Sequence, residues 1–255
     1  MSGPITLDFT GKRVLVTGGT RGIGRAIVDA YAAAGATVVM NGSSDESVAA
    51  ALVDAAPGVI GIAASVADPE ACRTLIEQSI ERMGGLDVLV NNAGISKPGK
   101  VERITPDTWN AIIGTNLTGT FFCTSAAVPA LRESGGNVLN VASVYGLVGS
   151  AYGSVYATAK GGVVNMTRAM AVELAPTIRV NCLCPGGVDT DMLRQAAVRV
   201  GGSVEAGYDI FKMDSPQERI AGAHELAAAA MWLTSDHASF VTGSIHVVDG
   251  GETAR

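Results

Sequence analysis

Short β-branched apolar runs alternate along this chain with longer, alanine-rich stretches of helical period. The runs Arg13–Thr17, Thr37–Met40, Val59–Ala63, Val88–Asn91, Asn137–Val141, Arg179–Cys184 and Ser244–Val248 predict strands. They are almost continuously apolar, as strands covered on both faces must be. Between them, Ile23–Ala34, Glu70–Met83, Trp109–Leu131, Val155–Leu174 and Glu225–Leu233 carry amphipathic or apolar helical patterns. Strand-helix alternation implies right-handed crossovers and a parallel sheet. The expected fold is α/β, a doubly wound parallel sheet with helices on both faces. No repeat, linker or low-complexity segment divides the chain, so residues 1–255 are read as one domain. Only Asp189–Ile220 breaks the rhythm. Its glycines, charges and broken helical pattern predict a long irregular insertion at the C-terminal edge of the sheet, where such segments are functional or mobile.

Composition narrows the class. Hydrophobic residues make up 47% of the 255 and charged residues 16%, which suits a buried core and excludes a disordered or nucleic-acid-binding chain. A formal charge of −6 argues against a polyanionic partner but leaves room for a local basic pocket. No apolar run approaches the length of a membrane span, and MSGPITLDFTGKR lacks the regions of a signal peptide. Cys72, Cys123, Cys182 and Cys184 have neither disulfide-framework nor metal-site spacing, and only three histidines are present. A cytoplasmic, reduced, metal-free protein is expected.

The first strand runs into Thr17-Gly18-Gly19-Thr20-Arg21-Gly22-Ile23-Gly24 and then a helix. A strand, a tight turn and a helix N-terminus present free N–H groups and a positive dipole end to a phosphate. Gly18 permits the turn, Gly22 lets backbone approach a pyrophosphate, and Gly24 lets the helix pack on the strand. No Lys-Ser/Thr follows, so a dinucleotide is favoured over a mononucleotide. A carboxylate ending the second strand would bind the ribose hydroxyls of NAD and repel a 2′-phosphate. This chain has Asn41-Gly42-Ser43-Ser44 there, with Arg21 projecting from the turn. NADP(H) is therefore favoured over NAD(H). Asp45 and Glu46 are read as the first turn of the next helix, capped by Ser43 or Ser44.

Tyr156-Ala-Thr-Ala-Lys160 sets a phenol and an ammonium on one helix face. A nearby cation favours the phenolate, which predicts a lowered tyrosine pKa and use as an acid or base. Bringing a free tyrosine to neutrality takes roughly 4 kcal/mol, more than one lysine supplies. Further donors or charge are expected to converge there.

Together these residues resemble the short-chain dehydrogenase/reductase family. The resemblance covers essentially the whole chain. It rests on Thr17-Gly18-x-x-x-Gly22-x-Gly24, Asn91-Asn92-Ala93-Gly94, Asn116, Ser143, Tyr156-x-x-x-Lys160, Asn181-x-x-x-Pro185-Gly186 and Thr242-Gly243 with Asp249-Gly250-Gly251. The resemblance implies a Rossmann-like sheet of seven strands or so, with Tyr156 as acid/base and Lys160 lowering its pKa and holding the nicotinamide ribose. It makes Ser143 the ligand of the substrate oxygen and Asn116 the anchor of a water in a proton relay. Asn92, Ala93 and Gly94 would line the cofactor, and Pro185, Gly186, Val188 and Thr190 the nicotinamide side. Family members commonly carry an aspartate after the third strand, touching adenine. Here Ala63-Ala64-Ser65-Val66 offers only Ser65, beside Val66.

The leading expectation is an NADP(H)-dependent oxidoreductase interconverting a carbonyl and a secondary alcohol. A 3-oxoacyl-thioester (acyl-carrier-protein) reductase is the alternative enzyme, and a non-catalytic dinucleotide-binding regulatory protein the alternative of another class. Ile95, Val144, Tyr152, Gly187, Val188 and Met192 predict a fairly apolar substrate wall for a small ketone or alcohol. The resemblance also implies a homotetramer. One interface would use the Tyr156-bearing helix and the helix around Trp109–Leu131; the other would use the last strand and Asp249-Gly250-Gly251.

Overall fold

The computed structural model describes residues 7–254; Met1–Thr6, on which part of the leader reading falls, lie outside the described residues. Seven strands form one sheet: β1 (Arg13–Val16), β2 (Thr37–Gly42), β3 (Ile60–Ala63), β4 (Val88–Asn91), β5 (Asn137–Val141), β6 (Arg179–Pro185) and β7 (Ile245–Val248). Their order is β3-β2-β1-β4-β5-β6-β7, with every neighbouring pair parallel. Successive strand side chains point to opposite faces. Accordingly Val14 and Val16 enter one core cluster and Leu15 the other, as do Val88 and Val90 against Leu89.

Helices α1 (Gly22–Ala33) and α9 (Ala223–Thr234) cover the first face through Ile27, Tyr31, Leu226 and Ala230. Helices α3 (Pro69–Met83), α5 (Gly119–Ser134) and α6 (Ser154–Leu174) cover the second through Leu75, Cys123, Leu131 and Met170. Fully burying a Leu or Ile side chain contributes about 1.5–3 kcal/mol, so two such layers supply most of the driving force. Helix α2 (Asp45–Leu52) follows β2 as expected: the Ser44 hydroxyl accepts from Ser47 N at 3.2 Å, and Asp45 and Glu46 fill the first turn.

Two expectations need correcting. Asp189–Ile220 is not irregular: it holds α7 (Asp191–Gly201) and α8 (Val204–Asp214), capped by Thr190 and Ser203. The glycine that seemed to break the pattern is a contact. A Cβ on Gly207 would lie 2.3 Å from the Ala197 carbonyl oxygen, so the two helices pack backbone to backbone there. The second correction concerns α4 (Pro106–Ile113), which continues through a π turn (Gly114–Thr118) into α5. The whole run, Pro106–Ser134, has a mean hydropathy of 1.3 over its most apolar window and is long and apolar enough to cross a membrane. Its apolar character is used in packing, since Cys123, Ala127 and Leu131 are buried in the second layer.

The chain runs outward from β1 to β3, then starts again at β4 and runs outward to β7. The turns after β1 and β4 therefore lie side by side at the carboxyl ends of the strands. That reversal point is where open α/β sheets bind ligands.

Candidate active site

The glycine turn is built by close approaches that only glycine allows. Gly18 has φ +60 and Gly22 φ +55. A Cβ on Gly18 would stand 2.8 Å from Ala93 Cα, and one on Gly24 would stand 2.2 Å from the Gly18 carbonyl oxygen. Thr17 joins this turn to the β4 loop: its hydroxyl accepts from Asn92 N and Ala93 N at 3.0 and 3.1 Å. The Asn92 amide in turn donates to the Thr17 and Gly18 carbonyls at 3.1 and 3.0 Å. In the sequence Thr17 is legible only as part of the motif. Its role as the joint between two loops follows from strand order, which spacing does not reveal.

Helix α1 has Arg21 at its N-cap position, with no side-chain cap and no acidic residue in the first turn. Its leading N–H groups and positive dipole end are thus presented to an anion. Thr20 and Ile23 flank them, both partly buried. Arg21 is exposed, and no carboxylate pairs with it among the described residues. Gly42 is buried while Ser43 is exposed at the end of β2, and across from them Ser65 is exposed and Val66 buried. Backbone donors without a competing carboxylate, flanked by one free guanidinium, fit the phosphates of a dinucleotide.

The loop after β6 closes over this turn. Pro185 ends the strand, and Gly186 N donates to the Val248 carbonyl at 3.0 Å. Gly186 itself lies against Asp249, where a Cβ would be 2.8 Å from the Asp249 Cβ. Val188 is buried and bridges to Ala221. Thr190 caps α7 and lies over the turn, since a Cβ on Gly22 would come within 3.2 Å of Thr190 Cγ2.

The polar residues of the expected catalytic set meet between β5 and α6. Ser143 is buried just past β5, and its hydroxyl accepts from Tyr145 N at 3.2 Å. Lys160 Nζ donates to the Val141 carbonyl at 2.7 Å and stands 5.8 Å from the centre of the Tyr156 ring. Asn116 is fully buried in the π turn, an irregularity that recurs at functional sites. Its carbonyl oxygen accepts from Ile95 N at 2.8 Å and its NH2 donates to Ile95 O at 2.9 Å. A Cβ on Gly94 would stand 3.5 Å from both Asn116 Oδ1 and Lys160 Nζ. The β4 loop thus places Gly94 between the two.

The electrostatics differ from the expectation. Tyr156 is pushed up to about 12, chiefly by burial, while a hydrogen bond with Ser143 acts the other way. Lys160 is pushed down to about 8 because burial disfavours its charge. Spacing puts the two on one face but does not reveal that Lys160 is buried and Tyr156 partly buried. A phenol pushed up in this way is neutral near pH 7 and donates a proton rather than accepting one.

The expected substrate wall is only partly assembled. Val144 is buried, whereas Tyr152 and Met192 are 62% and 40% exposed at the rim. Tyr152 adopts φ +62, and its carbonyl accepts from Gly99 N at 2.8 Å, fastening the Ser150–Gly153 turn to the β4 loop. Gly187 lines a cavity of about 120 Å³ with Phe211, Ile220 and Val248, underneath α8.

Residues 18–253 match the family described as enoyl-(acyl carrier protein) reductase. The chain is 37% identical over 257 residues to D-beta-hydroxybutyrate dehydrogenase of Cupriavidus necator, covering 97% of this chain and 100% of the relative. It is 35% identical over 247 residues to 3-oxoacyl-(acyl-carrier-protein) reductase of Salmonella typhimurium, covering 96% and 98%. Among solved structures, ligand-free aldohexose dehydrogenase of Thermoplasma acidophilum superposes with a TM-score of 0.90 at 32% identity, covering 97% of this chain and 96% of that one.

Proposed function

The chain belongs to the short-chain dehydrogenase/reductase family and is an oxidoreductase acting on CH–OH groups, and we propose that it interconverts a ketone and a secondary alcohol using NADP(H), with Tyr156 as the acid and base. The observation that carries the reading is the grouping of Tyr156 with Lys160 and Ser143, and of Lys160 with Asn116 beside Gly94, next to the glycine turn at the reversal point of the sheet.

Gly18, Gly22, Gly24 and the N-terminus of α1 hold the pyrophosphate, and Arg21 with Ser43 takes the 2′-phosphate. Bound NADPH supplies the hydride that the carbonyl carbon accepts. As negative charge develops on the substrate oxygen, the Ser143 hydroxyl donates a hydrogen bond and the Tyr156 O–H transfers its proton to it. A developing alkoxide is far more basic than a phenolate, so a tyrosine held neutral by burial is in the correct state to donate. Lys160, fixed by the Val141 carbonyl, holds the ribose hydroxyls and sets a positive charge one turn from the phenolate that remains. Alcohol oxidation uses the same groups in reverse.

Cofactor preference is tested at Gly42. A Cβ there would lie 2.7 Å from Thr20 Cγ2 and from Ser47 Oγ, so a substitution perturbs packing as well as charge. Gly42→Ala is therefore the control. Relative to Ala, Gly42→Asp is expected to shift the NADPH:NADH ratio of kcat/KM toward NADH by about tenfold or more, roughly 1.4 kcal/mol of charge repulsion. Equal ratios in the two variants would contradict the assignment of the 2′-phosphate site.

A 3-oxoacyl thioester is the second candidate substrate, supported by the Salmonella typhimurium relative. Comparing free cyclic ketones, sugars and 3-oxoacyl thioesters with NADPH separates it from other ketones. We place the enzyme in the cytoplasm as a homotetramer, a reading supported by exposed apolar side chains on α5 and α6 (Phe121, Phe122, Val172) and near β7 (Phe240, Val247). A sizing measurement that returns a stable monomer would overturn that assembly.

A further inference from the structure

Asn41 occupies an unusual place for an amide. It is the penultimate residue of β2, 1% exposed, where the strand would otherwise bury an apolar side chain. Its NH2 group lies within hydrogen-bond distance of three carbonyl oxygens: Gly42 at 2.9 Å, Ile62 at 3.2 Å and Ala64 at 3.1 Å. Its side-chain oxygen accepts from Gly18 N at 3.4 Å, and its backbone carbonyl accepts from Gly19 N at 2.8 Å.

The ladder between β2 and β3 ends with Gly42 opposite Ala63. Beyond that point backbone pairing continues only through Ala64 N to Gly42 O at 2.9 Å. The Asn41 amide therefore does the work of a missing strand residue. It ties the last turn of three neighbouring strands together: the glycine turn after β1, the Gly42–Ser43 corner after β2, and the Ala64–Val66 segment after β3. Those three segments form the adenosine side of the proposed cofactor site. Two of them lack the acidic residue that would be expected to bind the cofactor directly, one at Gly42 and one at Ser65.

We propose that Asn41 is a positioning residue for the adenosine 2′-phosphate half of NADP(H), acting through Gly18, Gly42 and Ala64 rather than by touching the cofactor. The inference rests on the dinucleotide reading of this site. The amide suits the task because it has two donors and one acceptor in a plane, whereas the neighbouring backbone groups leave carbonyls on one side and an N–H on the other. Removing it takes a donor from the Ile62 and Ala64 carbonyls and an acceptor from Gly18 N, while the Gly42 carbonyl keeps Ala64 N, and the three segments become free to relax independently.

The test uses the full-length enzyme, with adenosine 2′,5′-bisphosphate as a probe of the adenosine half alone. Asn41→Ala is expected to raise the KM for NADPH and the inhibition constant of adenosine 2′,5′-bisphosphate together, each by about tenfold, with kcat at saturating NADPH within about threefold of the parent. Asn41→Ser keeps one donor, is gentler to the fold, and is expected to recover part of both losses. Parallel losses in the two constants with kcat retained support the positioning role. A bisphosphate constant that stays at the parental value, or a kcat that falls in step with thermal stability while both constants hold, overturns it. If the parent enzyme itself binds neither NADPH nor the bisphosphate, it is the cofactor reading that fails, and that result is distinguishable because no variant is needed to obtain it.

Discussion

Tyr156→Phe is expected to lower kcat by about 10²–10⁴-fold, the range lost when a positioned general acid is removed. The effect falls on kcat because the phenol acts only on the oxygen where charge develops. NADPH affinity should stay within a few-fold, since the pyrophosphate and 2′-phosphate contacts assigned to the glycine turn, Arg21 and Ser43 are untouched. The ring should remain seated, because Phe keeps the packing and removes one hydroxyl that burial already penalises when ionised. Steady-state kinetics with fluorescence titration of NADPH check both halves. Retained turnover would remove Tyr156 from the mechanism, and a parallel loss of NADPH binding would make its role structural.

The second large effect sets activity against stability. Lys160 is buried and pushed down from 10.5 to about 8, a difference of about 3 kcal/mol against the charged form. The sign follows from proton counts. Between pH 8 and 10.5 the folded chain binds fewer protons than the unfolded chain at this lysine, so its contribution to stability rises with pH across that window. Below pH 8 the full cost of the buried ammonium is present. Lys160→Met removes that cost and also the hydrogen bond to the Val141 carbonyl, worth about 1 kcal/mol. The variant is therefore expected to be about 2 kcal/mol more stable than the parent at pH 7, with the gain fading toward pH 10.5, while its turnover falls at least as far as that of Tyr156→Phe. Denaturant unfolding at a series of pH values measures this directly. A variant less stable than the parent at pH 7 would mean that the ammonium's contacts outweigh its desolvation, and a pH-independent difference would mean that the charge is not the cause.

What the sequence made legible were features carried by local chemistry. Val14-Leu15-Val16 and Val88-Leu89-Val90 read as doubly covered strands because each residue finds an apolar face whichever way it points. Gly18, Gly22 and Gly24 read as a turn and a close approach because no other residue tolerates those positions, and the contacts with Ala93 and the Gly18 carbonyl bear this out. Tyr156 and Lys160 could be placed on one helix face by spacing alone. The shift of the Tyr156 pKa could not, because burial acts against the lysine and depends on every element packed around α6.

The helices α7 and α8 escaped for a local reason that was present but outvoted. Thr190 and Ser203 are good N-caps, each accepting a backbone N–H three residues on. Gly201, Gly202 and Gly207 interrupt the helical pattern in the sequence, whereas Gly207 marks the place where the two helices touch. Asn41 escaped for a different reason. Its three carbonyl partners come from its own strand, from β3 and from Ala64 just beyond it, some twenty residues away, so its meaning exists only once the register of β2 on β3 is known.

The most direct test of the central claim follows the hydride. NADPH carrying deuterium at the transferable C4 position is incubated with the wild-type enzyme and a panel of cyclic ketones, sugars and 3-oxoacyl thioesters, and the products are examined by mass spectrometry. The expected result is consumption of NADPH with at least one substrate and deuterium on the carbinol carbon of a secondary alcohol, both suppressed in Tyr156→Phe. Tight NADPH binding by the wild-type protein with no labelled alcohol from any member of the panel would contradict the account and make this chain a dinucleotide-binding protein without the chemistry.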